Sequence, residues 1–176
     1  MPTLVNIAAF NLIWLIIVGG AFNDFEAPGL VILAVWIGVH LRYSRYRRSD
    51  IRLLIVAVLV GPLIDTLLIQ LGLVRYTGYA PVAGFAPLWV VAMWANFALL
   101  PNHSMRIFRG RLALTAGVGA LGAPLAYRAG AALGAAEFAE PAWTALAVLA
   151  AGWALVLPVL MQLTAGPEDA RRLIPA

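Results

Sequence analysis

The chain has 176 residues, of which 63% are hydrophobic and only 11% charged, with a mean hydropathy of +0.91. Soluble domains carry about 25% charged residues, so a water-soluble core is excluded. The formal charge of +4 rests on arginines in short clusters between apolar stretches. That is the pattern of loops facing anionic headgroups and argues against a nucleic-acid partner. There is no cysteine, and the two histidines, His40 and His103, exclude a three-histidine metal site. No metal and no cofactor is expected.

At about 20 apolar residues per crossing, the length accommodates roughly six helices with short loops and no separate soluble domain. Apolar segments fall at about 4–22, 28–41, 51–73, 86–104, 112–134 and 141–164. The expected fold is all-α, a single transmembrane domain over residues 1–176 built as a six-helix polytopic bundle. The first stretch, Leu4 to Phe22, lacks a basic flank and a small-residue cleavage site, so it reads as a retained helix and not a signal peptide. The second stretch is the shortest.

Arginine placement sets the expected topology. Arg42, Arg45, Arg47, Arg48, Arg52, Arg106, Arg109, Arg111, Arg171 and Arg172 fall on one side in a six-span arrangement, and only Arg75 and Arg128 oppose it. Positive loops stay in the cytoplasm, which puts both termini inside, in a multi-pass membrane protein. The other side carries Asn23, Asp24, Phe25 and Glu26, the loop Arg75 to Phe85, and Glu137 with Glu140. Tyr76, Tyr79, Phe85, Trp89 and Trp143 are placed to mark the outer interface, Tyr43 and Tyr46 the inner. Pro62, Pro124 and Pro158 lie inside helices and are expected to kink them.

The segments His40-Leu-Arg-Tyr-Ser-Arg with Gly61-Pro62 and His103-Ser-Met-Arg106 with Gly122-Ala-Pro124 form similar helix, basic loop, helix units. A duplicated hairpin explains them, although arginine-rich inner loops resemble one another anyway. The fifth span carries Gly117, Gly119, Gly122, Ala126, Gly130 and Gly134. This flat face suits close helix packing inside the chain or a homo-oligomer or partner contact through Gly117 to Gly134.

Polar residues inside spans are costly and therefore informative. Asp65 lies about 22 Å along its helix, at the outer level, near Gln70, Tyr127 and Arg128. Arg128 is its expected ion-pair partner. The inner level holds Asn6 and Asn11 on the first span, Asn96, Asn102, His103 and Ser104 on the fourth, Gln162 on the sixth, and His40. The candidate polar site is therefore Asp65, Asn102, His103, Asn96, Asn11, Arg128 and Tyr127. No nucleophile elbow, phosphate loop or zinc-protease motif occurs, and catalytic residues stay unassigned.

The motifs Asn11-x-x-Trp14, Gly61-Pro-Leu-Ile-Asp65, Pro87-Leu-Trp89, Trp94-x-x-Phe97-Ala, Asn102-His-Ser104, Gly122-x-Pro-Leu-Ala-Tyr127 and Trp153-Ala-x-x-x-Pro158 resemble an uncharacterised bacterial inner-membrane family, domain of unknown function 2878. The resemblance runs along nearly the whole chain and implies a multi-span protein of unassigned activity. Neighbouring lipid-modification genes in that family tilt the expectation toward membrane lipid. Pro101 before Asn102 departs from the pattern and is expected to end the fourth helix early.

Three functions follow as expectations: a lipid-binding enzyme or accessory protein of membrane lipid and fatty-acid modification, a non-catalytic assembly subunit, or a small proton-coupled transporter using Asp65.

Overall fold

The structure, a computed structural model, describes residues 2–23 and 25–164. Asp24, Arg171 and Arg172 lie outside the described residues. Six α-helices follow one another: α1 (Thr3–Ala21), α2 (Ala27–Tyr43), α3 (Arg47–Gln70), α4 (Leu88–Phe97), α5 (Leu112–Ala132) and α6 (Ala142–Gln162). Two short strands, β1 (Val74–Tyr76) and β2 (Ala136–Phe138), pair antiparallel. The helices run alternately between two ends of the bundle. At the basic end, Pro2 and Thr3 share a cavity wall with Arg45 and Arg106, and Ser49 bonds the carbonyl of Leu163. At the ribbon end, β1 and β2 lie near the start of α2, where Glu26 accepts the amide of Tyr79.

Helices α1, α3 and α6 are long and apolar enough to cross a membrane, by length and composition. Their surfaces agree: Leu12, Leu59 and Leu155 are among many large apolar side chains left exposed. The other three helices are not among these candidates. Helix α2 has 17 residues and α4 only 10; α4 rises about 15 Å, half of a hydrocarbon core. Helix α5 has 21 residues and includes Arg128.

The expected fourth span, 86–104, is thus a half-length helix followed by turns. Pro101 is the physical reason: it has no amide hydrogen to donate, and it disfavours helical backbone at Leu100. Residues Ala98 to His103 are nevertheless buried, so their backbone polar groups need partners within the protein. Pro62, Pro124 and Pro158, by contrast, sit within continuous helices.

The ribbon was not expected from an all-α reading. It exposes an internal repeat more clearly than the basic loops do. After α3 and after α5 the chain makes the same turn, through Gly72 and Gly134 at φ +67° and +81°, a conformation that favours glycine. Each turn leads into a three-residue strand. Arg75 and Glu137 face each other 62 residues apart, with Val74 opposite Phe138 and Tyr76 opposite Ala136. Asp65 and Tyr127, at the same 62-residue separation, also touch. The amide of Thr77 donates to Ala135, and that of Ala139 donates to Leu73. These relations are those of a two-fold axis passing between Arg75 and Glu137.

Glycines let the helices close on one another. The Trp94 ring lies on Gly61, where a Cβ would come 2.0 Å from it, and the backbone of Trp153 approaches Gly119, where a Cβ would meet its carbonyl at 2.2 Å. Trp94 and Trp153 stack at 4.8 Å. The small-residue face of α5 therefore serves packing against α6 at Gly119. Substituting Gly61→Ala is expected to push Trp94 out of place and cost about 1–3 kcal/mol. A thermal-unfolding series in detergent checks this; an unchanged midpoint would contradict the packing described.

Candidate functional site

Two polar clusters lie toward the two ends of the bundle, and an apolar cleft runs between helices from one region toward the other.

The cluster toward the ribbon end is built around Asp65 on α3, which is fully buried. Its Oδ1 accepts hydrogen bonds from the hydroxyls of Tyr76 at 2.5 Å and Tyr127 at 2.8 Å, and its Oδ2 accepts one from the Trp94 indole at 2.6 Å. These donors come from β1, α5 and α4, so one carboxylate ties four elements together. Burial, reinforced by Tyr127 and Asp65, pushes the Tyr76 hydroxyl well above its ordinary pKa, which keeps it a donor.

The expected ion pair with Arg128 is not formed; Arg128 is exposed. One helical residue separates the two roles, because Tyr127 projects inward while its neighbour faces outward. Tyr76 and Trp89, expected to mark an outer interface, instead pack against each other. Trp89 donates to the carbonyl of Thr77 at 2.7 Å.

The cluster toward the basic end centres on Asp50 in the first turn of α3, also fully buried. His40 Nε2 from the end of α2 lies 3.3 Å from Asp50 Oδ2, and His103 Nε2 lies 3.2 Å from the same oxygen. Ser44 Oγ donates to it as well, and stands 3.3 Å from His103 Nε2. Asn102 Nδ2 donates to Asp50 Oδ1 at 2.8 Å and to Ser49 Oγ at 2.9 Å. Arg109 supports Asn102 from outside at 3.2 Å. The His40 and His103 rings meet edge to face at 4.5 Å, and His40 Nδ1 is buried without a hydrogen-bond partner among the described residues.

This arrangement is not a serine-hydrolase triad. There the carboxylate and the hydroxyl bond opposite ring nitrogens, whereas here Asp50 and Ser44 both approach His103 Nε2. Ser104 takes no such part either: its amide donates to Asn6 Oδ1 at 3.3 Å. His40, Asp50 and His103 bring three potential ligand atoms within 4.8 Å of one another, a grouping that the sequence did not indicate.

The structure thus sorts the candidates. Asp65 joins Tyr127, and Asn102 joins His103. Asn96 is buried but serves as a clamp from α4 to α1, donating to the carbonyl of Phe10 at 3.1 Å. Asn11 is exposed and, among the described residues, its side chain bonds the carbonyl of Ile7, one turn back in its own helix, at 2.8 Å; Asn6 is the buried one of the two. Asp50 and Ser44 were missed. A usable signal existed: Asp50 is the one acidic residue in the arginine-rich segment 42–52.

Between the clusters lies a cavity of about 340 Å³, bordered by Phe10 and Trp14 of α1, Met93 and Phe97 of α4, and Gly122 and Ala126 of α5. Asp65 and Tyr127 border it too. Helices α1 and α5 come together near the ribbon end, where Val18 faces Gly130 and Phe22 covers Gly134. A separate polar cavity of about 370 Å³ at the basic end is bordered by Thr3, Arg45, Tyr46, Asn102, His103 and Arg106.

Removing the carboxylate in Asp65→Ala leaves three buried donors without their acceptor. Interhelical hydrogen bonds in membranes are worth about 0.6–2 kcal/mol each, so a loss of about 2–5 kcal/mol is expected. Arg128→Ala is expected to change stability by less than about 0.5 kcal/mol. Unfolding both variants in parallel tests the assignment, since an ion pair would make the two losses similar.

No curated protein and no solved structure matches the chain. A family match extends over residues 3–159 and includes every side chain of both clusters. As its motifs indicated, the chain belongs to the family described as protein of unknown function (DUF2878).

Proposed function

We propose that this is a multi-pass membrane protein that binds a membrane lipid by taking one hydrocarbon chain into the cleft between α1, α4 and α5, as an enzyme or accessory protein of lipid modification. The basic end faces the cytoplasm in this reading, because the arginine clusters at Arg42 to Arg52 and Arg106 to Arg111 belong on the retained side.

The observation that carries it is the cleft itself. Helix interiors are close-packed, and an apolar gap left empty forfeits dispersion contacts on every wall. A volume of about 340 Å³ lies at the small end of the usual range for ligand sites and suits one chain better than a whole two-tailed lipid. The lining is aromatic and aliphatic on one side and made of small residues on the other. At Gly122, which borders the cleft, an added Cβ would meet nothing within 4 Å. Small residues here keep a groove open instead of bringing two helices together. The Asp65, Tyr127 and Trp94 cluster supplies the polar limit of the groove toward the ribbon end.

Gly122→Phe directs a ring toward this space from a position where the Cβ meets nothing within 4 Å. The expected result is at least a tenfold loss of co-purifying lipid in native mass spectrometry, with the fold retained by size exclusion. Equal lipid occupancy in the variant, or a wild-type protein free of bound lipid in mild detergent, would overturn the reading.

A further inference from the structure

We propose that His40, Asp50 and His103 form a binding site for one divalent first-row transition-metal ion. This site stands apart from the lipid cleft and does not depend on it.

The geometry points there in three ways. Two ligands each about 2.0–2.2 Å from one ion, at tetrahedral or octahedral angles, are about 2.9–3.5 Å apart. The imidazole nitrogens of His40 and His103 stand 3.3 and 3.2 Å from Asp50 Oδ2. All three ligand atoms fall within 4.8 Å of one another, so a small side-chain rotation lets one ion reach them all.

Hydrogen bonding alone accounts poorly for the same contacts. Ser44 Oγ, His40 Nε2 and His103 Nε2 all converge on Asp50 Oδ2, while a carboxylate oxygen offers about two lone-pair positions. The crowding is relieved if the two imidazoles turn nitrogen lone pairs, not hydrogens, toward a shared cation. Ser44 then keeps its bond to the carboxylate.

The carboxylate is the member of the ligand set that its surroundings hold in place. Asp50 is held from its other oxygen by Asn102, which is itself held by Arg109, and such outer contacts fix a ligand's orientation. His40 and Asp50 are fully buried. His103 borders the polar cavity at the basic end, which provides an access route and room for an exogenous ligand on the ion. Arg45 and Arg106 border that cavity; they oppose a cation's approach and favour an anionic group as the exogenous ligand. Two imidazoles and one carboxylate, with no sulfur, suit iron(II), manganese(II), cobalt(II) or zinc(II) and resemble the facial sets that leave positions open.

The test loads the full-length, chelator-stripped protein in mild detergent with cobalt(II). One equivalent per chain with visible ligand-field bands is expected, as is an affinity loss of about tenfold or more in His40→Ala and His103→Ala. Ser104→Ala is the control expected to bind as wild type. Should the histidine variants fail to fold, X-ray absorption of the zinc(II)-loaded wild type must show imidazole scattering. Less than stoichiometric cobalt, folded histidine variants with unchanged affinity, or zinc scattering without imidazole would each overturn the site and leave the cluster a hydrogen-bonded staple.

Discussion

The organising constraint is the burial of an interrupted helix. Helix α4 stops at Phe97, halfway along the bundle, and the chain continues as turns through Met105. Backbone groups freed in this way and buried from solvent must find partners inside the protein. Local bonds supply some: the amides of His103 and Met105 both donate to the carbonyl of Leu100. Side chains supply others. Asn6 of α1 donates to the carbonyl of Leu99 and accepts the amide of Ser104. The polar residues that hydropathy penalises on α1 and α3 thus follow from where α4 ends. The same turn carries Asn102 and His103 to Asp50.

Toward the opposite end the problem is solved by repetition. Two helix, turn and strand units, at a 62-residue offset, pair their strands. Equivalent positions on α3 and α5 hold Asp65 and Tyr127, and the two side chains meet. One copy has an acceptor where the other has a donor, so a contact between like positions became a complementary hydrogen bond. The buried stripes match in spacing as well: Leu53, Ala57 and Gly61 on α3 correspond to Thr115, Gly119 and Ala123 on α5.

The sequence made the apolar helices, the arginine loops and the presence of two polar levels legible, because each depends on local composition. Pro101 foretold the early end of α4. Sequence depth also placed Asp65 with Tyr127 at one level and Asn102 with His103 at the other. It failed where the partner was set by a contact distant along the chain. Arg128 was the nearest opposite charge to consider for Asp65, yet Tyr76 and Trp94 arrive from β1 and α4, and a phenol and an indole carry no charge to signal the pairing. Asp50 was hidden among the arginines of the segment 42–52 and was not singled out. Asn11 shares its residue type with Asn6 but is five positions further on α1, which rotates it away by more than a quarter turn. The strands were too short for any alternation to appear.

A membrane bundle with its arginine loops and its ribbon on opposite faces is the claim on which the rest stands. The chain has no cysteine, so single reporters can be introduced without background. Ile107 and Val82 are both exposed, in the segment after α4 and in the ribbon-side loop respectively. Labelling Ile107→Cys and Val82→Cys with a membrane-impermeant maleimide, in intact cells and in inverted vesicles, reads their sides directly. Modification of residue 82 only in cells and of residue 107 only in inverted vesicles is the expected result; modification of both from the same side would contradict the arrangement.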